Sequence, residues 1–344
     1  MDLMLNLNLP PASHTIDHGQ KVLSIGSCFT EHIGNALKDL KFQVLQNPNG
    51  ILFDPASVCH SLVSYMQGKQ YGPDDLFYYN ELWQSWNHHS RFSGMDQTAV
   101  LEKINASQTE ASAFLVDADW LIITLGSSFS YRLTADAPHQ QGVAPFSPPT
   151  GEGRGGAAVA NCHRAPGQWF QKHLLQITET VELLDNTLHQ LFYRNRKVRI
   201  IFTISPVRHI RDGVVENNRS KARLVEAVHH LVNKFDRLHY FPSYELVIDV
   251  LRDYRFYAED MVHPNYLATD FVLEKFLQTF MSHETNELVG ELQKLNIARK
   301  HKAQHPGTEA HQRFLKAYLE KCRTLQHRYP NVSFAEELRY FAGS

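Results

Sequence analysis

Cysteine is scarce in this 344-residue chain: Cys28, Cys59, Cys162 and Cys322 are scattered, and no two form a C-x-x-C pair. That spacing excludes a dithiol redox motif and fits reduced thiols better than a disulfide framework. Long apolar runs are missing as well; the longest, such as WLIITLG, are far too short to cross a bilayer. Nor does charge of one sign dominate. With 34 Lys and Arg against 36 Asp and Glu, no surface field favours nucleic acid or an anionic membrane. The opening MDLMLNLNLPPASHTIDHG has neither a basic n-region nor an unbroken apolar stretch, so we expect no signal peptide or lipid anchor and a cytoplasmic protein. Histidine, by contrast, is plentiful at 20 residues.

With 43% hydrophobic residues the chain can bury a large core. Short β-branched runs alternate with segments of helical period, the pattern of a parallel sheet covered by helices. Strands are expected at 22–26, 42–46, 120–125, 198–204 (VRIIFTI) and 244–250 (YELVIDV). Apolar stripes predict helices over about 29–40, 168–193, 224–235 and 267–281. Two stretches interrupt the alternation, about 68–118 and 127–167, and read as insertions at one end of the sheet. A polar helical extension is expected over 284–344, after a main domain of 1–283. It contains a helix around RFLKAYLEKCRTL and a capping box at Ser333 to Glu336.

In an open parallel sheet, functional groups gather beyond the carboxyl ends of the strands. Those ends carry GSC at 26–28, NPNG at 47–50, LGSS at 125–128, SPVRH at 205–209 and, a short loop after the fifth, DMVHPN at 260–265. Ser27 follows a glycine and precedes a helix, where unpaired backbone N–H groups can stabilise an oxyanion; the same position also suits an ordinary N-cap serine. Asp260 and His263, three apart, can turn toward one another, so that the carboxylate orients one imidazole nitrogen and frees the other to act as a base. Together these residues form a Ser-Asp-His set.

These blocks, with TLGSSFSY at 124–131 and ANCH at 160–163, resemble the GSCFA domain, a branch of the SGNH (GDSL-like) hydrolase superfamily, over roughly residues 20–280. The resemblance implies a flavodoxin-like three-layer α/β/α sandwich with a five-stranded parallel sheet in the order 2-1-3-4-5. It also implies acyl-ester hydrolysis with Ser27 as nucleophile and Asp260 and His263 as its partners. The superfamily's oxyanion hole uses the nucleophile's own N–H, a glycine N–H and an asparagine side chain. Gly50 matches the glycine. Where the asparagine is expected this chain has Ser127, so the role falls to Ser127 or to Asn161, with Asn161 preferred because an amide reaches further.

Cys28 is the rival nucleophile, but adjacent residues at a tight turn cannot both face the crevice, and the family pattern assigns that place to serine. His88, His89 and His163 lack the spacing of a metal site, so no metal and no cofactor are expected. Trp86, His88, His89, Arg208 and His209 are expected to line a substrate cleft, although Trp83 and Trp86 serve equally well as anchors of the insertion. GEGRGG at 151–156 follows prolines rather than a strand and reads as a loop tip. The expected activity is that of a serine esterase or O-deacylase on short acyl, above all acetyl, esters of a small molecule or carbohydrate. An acyltransferase and a non-catalytic binding module are the alternatives, and the oligomeric state is left open.

Overall fold

The computed structural model describes residues 5–138, 158–301, 305 and 307–343. Its centre is a five-stranded sheet of β1 (Lys21–Gly26), β2 (Gln43–Gln46), β3 (Trp120–Leu125), β4 (Arg199–Ile204) and β5 (Leu238–Phe241). Their order is 2-1-3-4-5. β1 pairs with β3, β3 with β4 and β4 with β5, all in parallel. Both faces are buried. Leu23, Ile25, Leu121, Ile123, Ile200 and Phe202 enter one core cluster, while the alternate residues Val22, Ile122 and Ile201 are equally enclosed. Burial on both faces explains why these strands read as unbroken apolar runs, and it makes the sandwich three-layered.

The helices are α1 (Cys28–Asp39), α2 (Pro55–Gln67), α3 (Gln97–Asp117), α4 (Ile177–Arg194), α5 (Val214–Lys234), α6 (Tyr266–Phe280), α7 (His283–Lys300), α8 (Glu309–Arg328) and α9 (Ala335–Phe341). Helix α2 begins at an Asp54 cap with Pro55 at the first position and ends at Gly68 in the left-handed region, three signals present in the sequence. Asn265 caps α6 by accepting from Ala268 N–H.

Four sequence expectations need correction. The fifth strand is LHYF at 238–241, not YELVIDV: residues 243–251 coil into helical turns that bury Leu246, Val247, Val250 and Leu251, a spacing only a helix satisfies. The helix expected from 168 begins only at Ile177, because Phe170–Leu174 is a strand. That strand joins Phe129–Leu133 and Ala158–Val159 in a small antiparallel sheet. Within 68–118, residues 97–117 form α3, whose Ala111 and Leu115 belong to the main core. Finally, α9 starts at Ala335, where Ser333 Oγ accepts from Ala335 N–H rather than from the third turn residue, so no capping box forms. The 151–156 segment lies outside the described residues.

The chain divides into two compact units. The first comprises the described residues within 5–7, 21–34 and 45–272, and holds every residue assigned above to the site. The second comprises the described residues within 8–20, 35–44 and 273–343. Within it, buried Glu337 pairs with Lys41 at 2.9 Å and with Arg299 at 2.8 Å, and Tyr318 stacks on Phe341. Among the described residues no helix is long and apolar enough to cross a membrane.

Gly26 closes β1 at φ +149°, and a Cβ placed there would lie 2.2 Å from the Thr124 carbonyl oxygen of the neighbouring strand. Gly26→Ala is therefore expected to cost more than about 2 kcal/mol of stability, read as a lower midpoint in urea unfolding. An unchanged midpoint would mean that β1 and β3 separate readily at this end.

Candidate active site

Loops after three neighbouring strands are stitched together at the carboxyl end of the sheet. Asn47 Oδ1 accepts from Gly26 N–H, Leu52 N–H donates to Gly26 O, and Gly126 N–H donates to Phe53 O. From the far side, α5 contributes one buried face of Asn217, Ser220 and Lys221, the i, i+3, i+4 spacing of a single stripe. Asn217 Oδ1 accepts from His209 N–H, Ser220 Oγ accepts from Ser128 N–H, and Lys221 Nζ donates to Ser205 O at 2.6 Å. The helix thus holds the loops after β3 and β4 in place.

Ser27 stands at the β1–α1 turn, is almost fully buried, and its Oγ accepts from Phe29 N–H at 3.3 Å. Cys28 beside it has a thiol pKa raised above the ordinary value, chiefly by burial, which disfavours the thiolate. Asp260 and His263 do meet. His263 Nδ1 lies 2.6 Å from Asp260 Oδ2, while Asp260 Oδ1 accepts from the N–H groups of Val262 and His263. The His263 backbone N–H, then its ring, then Val262 N–H hold the Asp260 carboxyl down to about 2, so it is ionised at neutral pH. Arg208 anchors that loop through its N–H to Val262 O and its guanidinium to Met261 O, and its guanidinium lies over the Tyr257 ring. No hydrogen bond joins Ser27 Oγ to His263 among the described residues.

A cavity of about 390 Å³ opens beside this turn, lined by Ser127, Asn161, Arg208 and His209 together with Phe53, Asp54, Phe129 and Tyr131. Four residues expected at the site are therefore brought together. Three are not. Trp86 is fully buried and stacked on Phe77 at 3.6 Å, which makes it the anchor of the insertion rather than a wall of the cleft. His88 is also interior, bonded to Ser85 Oγ at 2.9 Å and set edge-on against Tyr71, with burial holding its pKa down to about 3. His89 packs against Gly50, where an added Cβ would lie 2.2 Å from His89 Cβ, and does not line the cavity. Among the described residues no group of three or more His, Cys, Asp or Glu is arranged to hold a metal ion.

The expected oxyanion donors are only partly open. Ser27 N–H donates to Thr124 O at 3.1 Å, and Gly50 N–H donates to Asn47 O at 2.8 Å. Ser127 Oγ is shared with Ser220 Oγ at 3.1 Å and accepts from Phe129 N–H. Asn161 Oδ1 accepts from His163 N–H, which leaves its Nδ2 without a protein partner among the described residues.

Two buried groups escaped the sequence reading. Asp54 caps α2 and lines the cavity, with its carboxyl raised to about 6, mainly by burial. Its sequence signal, Asp before Pro, speaks only of a cap. Lys221 is 1% exposed, forms no ion pair among the described residues, and is brought down to about 7 by burial; its charge acts on both Cys28 and His209. Its signal was legible: it falls three residues before Leu224 on the apolar stripe of α5, where a lysine is out of place.

One solved structure, an acetyl xylan esterase from the rumen bacterium Butyrivibrio proteoclasticus, is 12% identical with a TM-score of 0.34, covering 83% of this chain and 66% of its own. No curated protein sequence matches. The model of the GSCFA family matches residues 21–276, and that of the C-terminal domain of GSCFA domain proteins matches residues 292–343. The chain belongs to the GSCFA family.

Proposed function

We propose that this protein is a serine hydrolase that removes short acyl groups, acetyl above all, from a small molecule or carbohydrate. The observation that carries the reading is the Asp260–His263 pair, bonded at 2.6 Å on a loop tied to the strand end that bears Arg208 and His209. The ionised carboxylate fixes the Nδ1–H tautomer, so Nε2 is the basic nitrogen. His263 Nε2 takes the Ser27 proton as Oγ attacks the acyl carbonyl, then returns it to the departing alcohol, and water releases the acyl group by the same two roles. Ser27 Oγ and His263 share no hydrogen bond among the described residues, and a catalytic base can close on its nucleophile in the substrate complex. The cavity suits a small polar ester, since Phe129 and Tyr131 offer apolar wall and Arg208 and Asn161 offer donors.

The engaged N–H groups of Ser27 and Gly50 favour a second reading, a binding module that holds such a ligand without cleaving it. Labelling with a fluorophosphonate separates the two. A hydrolase gains the phosphonyl mass on the peptide carrying Ser27, and substitution of His263 by alanine abolishes it. Labelling on another residue, or none, would favour the binding module.

A further inference from the structure

We propose that His209 is a catalytic hydrogen-bond donor, its Nε2–H together with Asn161 Nδ2 binding the carbonyl oxygen of the ester as that oxygen becomes an oxyanion. The assignment rests on the hydrolase reading and sharpens it, because two of the N–H groups that reading would use are engaged elsewhere.

The geometry starts from Gly126, whose φ is unexceptional, so the glycine is there for space. A Cβ at that position would lie 3.1 Å from His209 Nε2, 3.5 Å from Ser27 Cβ and 2.9 Å from Phe53 Cβ. His209 Nε2, the Ser27 side chain and Phe53 therefore crowd the same point, and only a glycine at 126 lets His209 Nε2 and Ser27 come so close to one another. His209 Nε2 is shut off from solvent and has no hydrogen-bond partner among the described residues. A buried polar nitrogen without a partner is costly unless a ligand supplies one. The residue is held on both sides: its backbone N–H donates to Asn217 Oδ1, and its ring packs at a tilt against Phe53 with centroids 4.9 Å apart. Asn161 and His209 line the same cavity.

The ring must also keep its proton through the step rather than give it up, which the N–H of a neutral imidazole does. Burial, then the charge of Lys221, then His263 hold the His209 pKa down to about 4; Asp212 opposes them and Lys172 adds to them. At neutral pH the ring is an imidazole with one N–H, and it does not compete with His263 for the Ser27 proton. The step balances without it changing state. The Ser27 Oγ–C bond forms, the carbonyl π pair moves onto oxygen, and the serine proton goes to His263 Nε2. When the pair returns, the C–O bond to the alcohol breaks and His263 protonates the leaving oxygen. His209 and Asn161 donate throughout and transfer nothing.

The test is hydrolysis of p-nitrophenyl acetate by the wild type and by Ser27→Ala, His209→Ala and His209→Gln. Removing one oxyanion donor costs about a hundredfold or more in kcat. We expect that loss for His209→Ala with KM changed by less than about threefold, and recovery of about a tenth of wild-type kcat or better in His209→Gln, whose amide offers an N–H at similar reach. Ser27-dependent hydrolysis that His209→Ala leaves within about threefold of wild type would overturn this assignment alone. A wild type with no Ser27-dependent hydrolysis overturns the hydrolase reading and this assignment with it. Independently of folding in the variants, ring-nitrogen NMR of the wild type should find His209 neutral and protonated on Nε2 down to at least pH 6. The Nδ1–H tautomer, or a charged ring at that pH, would overturn the proposal.

Discussion

Ser27→Ala is expected to lower kcat for p-nitrophenyl acetate by about a thousandfold or more, while Cys28→Ala stays within about threefold of wild type. The two side chains are adjacent, and their surroundings decide between them. Ser27 Oγ sits at the head of α1, and Ser27 Cβ lies 3.5 Å from where a Cβ on Gly126 would stand, a point also close to His209 Nε2. The Cys28 thiol is pushed up by burial and by Glu31, against the N–H groups of Phe29 and Cys28 and the charge of Lys221. A thiol raised in this way is almost wholly protonated at neutral pH, and the thiolate is the form that attacks. Kinetics of the two single variants at pH 7 and pH 9 measure this directly. Activity lost in Cys28→Ala and kept in Ser27→Ala would transfer the nucleophile to sulfur.

The second large effect concerns stability. Lys221 is buried with no carboxylate partner among the described residues, and its folded pKa of about 7 lies below the ordinary lysine value of 10.5. Below about pH 7 the lysine is charged in both folded and unfolded chains, so the folded state carries the full penalty of a buried cation. Between about 7 and 10.5 the unfolded chain holds one proton more than the folded one. Unfolding free energy then rises with pH, by up to about 1.4 kcal/mol per pH unit from this group alone. Lys221→Met removes the term. Urea unfolding of both proteins from pH 6.5 to 10 should give curves that diverge across this window, the wild type gaining on the variant as pH rises. Parallel curves would mean that Lys221 keeps its ordinary pKa through contacts with water or with residues outside those described. A cation retained at such cost beside His209 fits its service in keeping that imidazole neutral.

Much of the candidate site was legible because it lies in short, local patterns. Gly-Ser at a strand end and Asp-x-x-His before a helix are contiguous, and the Asp260–His263 bond spans three residues, so local geometry alone can form it. The same holds for β1, β3 and β4, whose burial on both faces leaves an apolar run that no other element explains. The fifth strand was not legible. LHYF is short, with His239 and Tyr240 only half buried, and its neighbour YELVIDV has the richer β composition. Apolar residues at 246, 247, 250 and 251 fit the helical spacing, and packing chose it.

The sequence by itself determined the class of fold, the strand order implied by the family's motifs, and which residue types stand at each strand end. Tertiary structure alone decided which of them are free to act. Whether the N–H of Ser27 or Gly50 is open depends on a carbonyl facing it, Thr124 O across the sheet and Asn47 O within its own turn. Whether a histidine lines a cleft or fills a core depends on its neighbours, which separates His209 from His88 although both read alike. Hydrogen-bond satisfaction and burial are properties of groups brought together from distant parts of the chain, and periodicity along one segment carries no record of them.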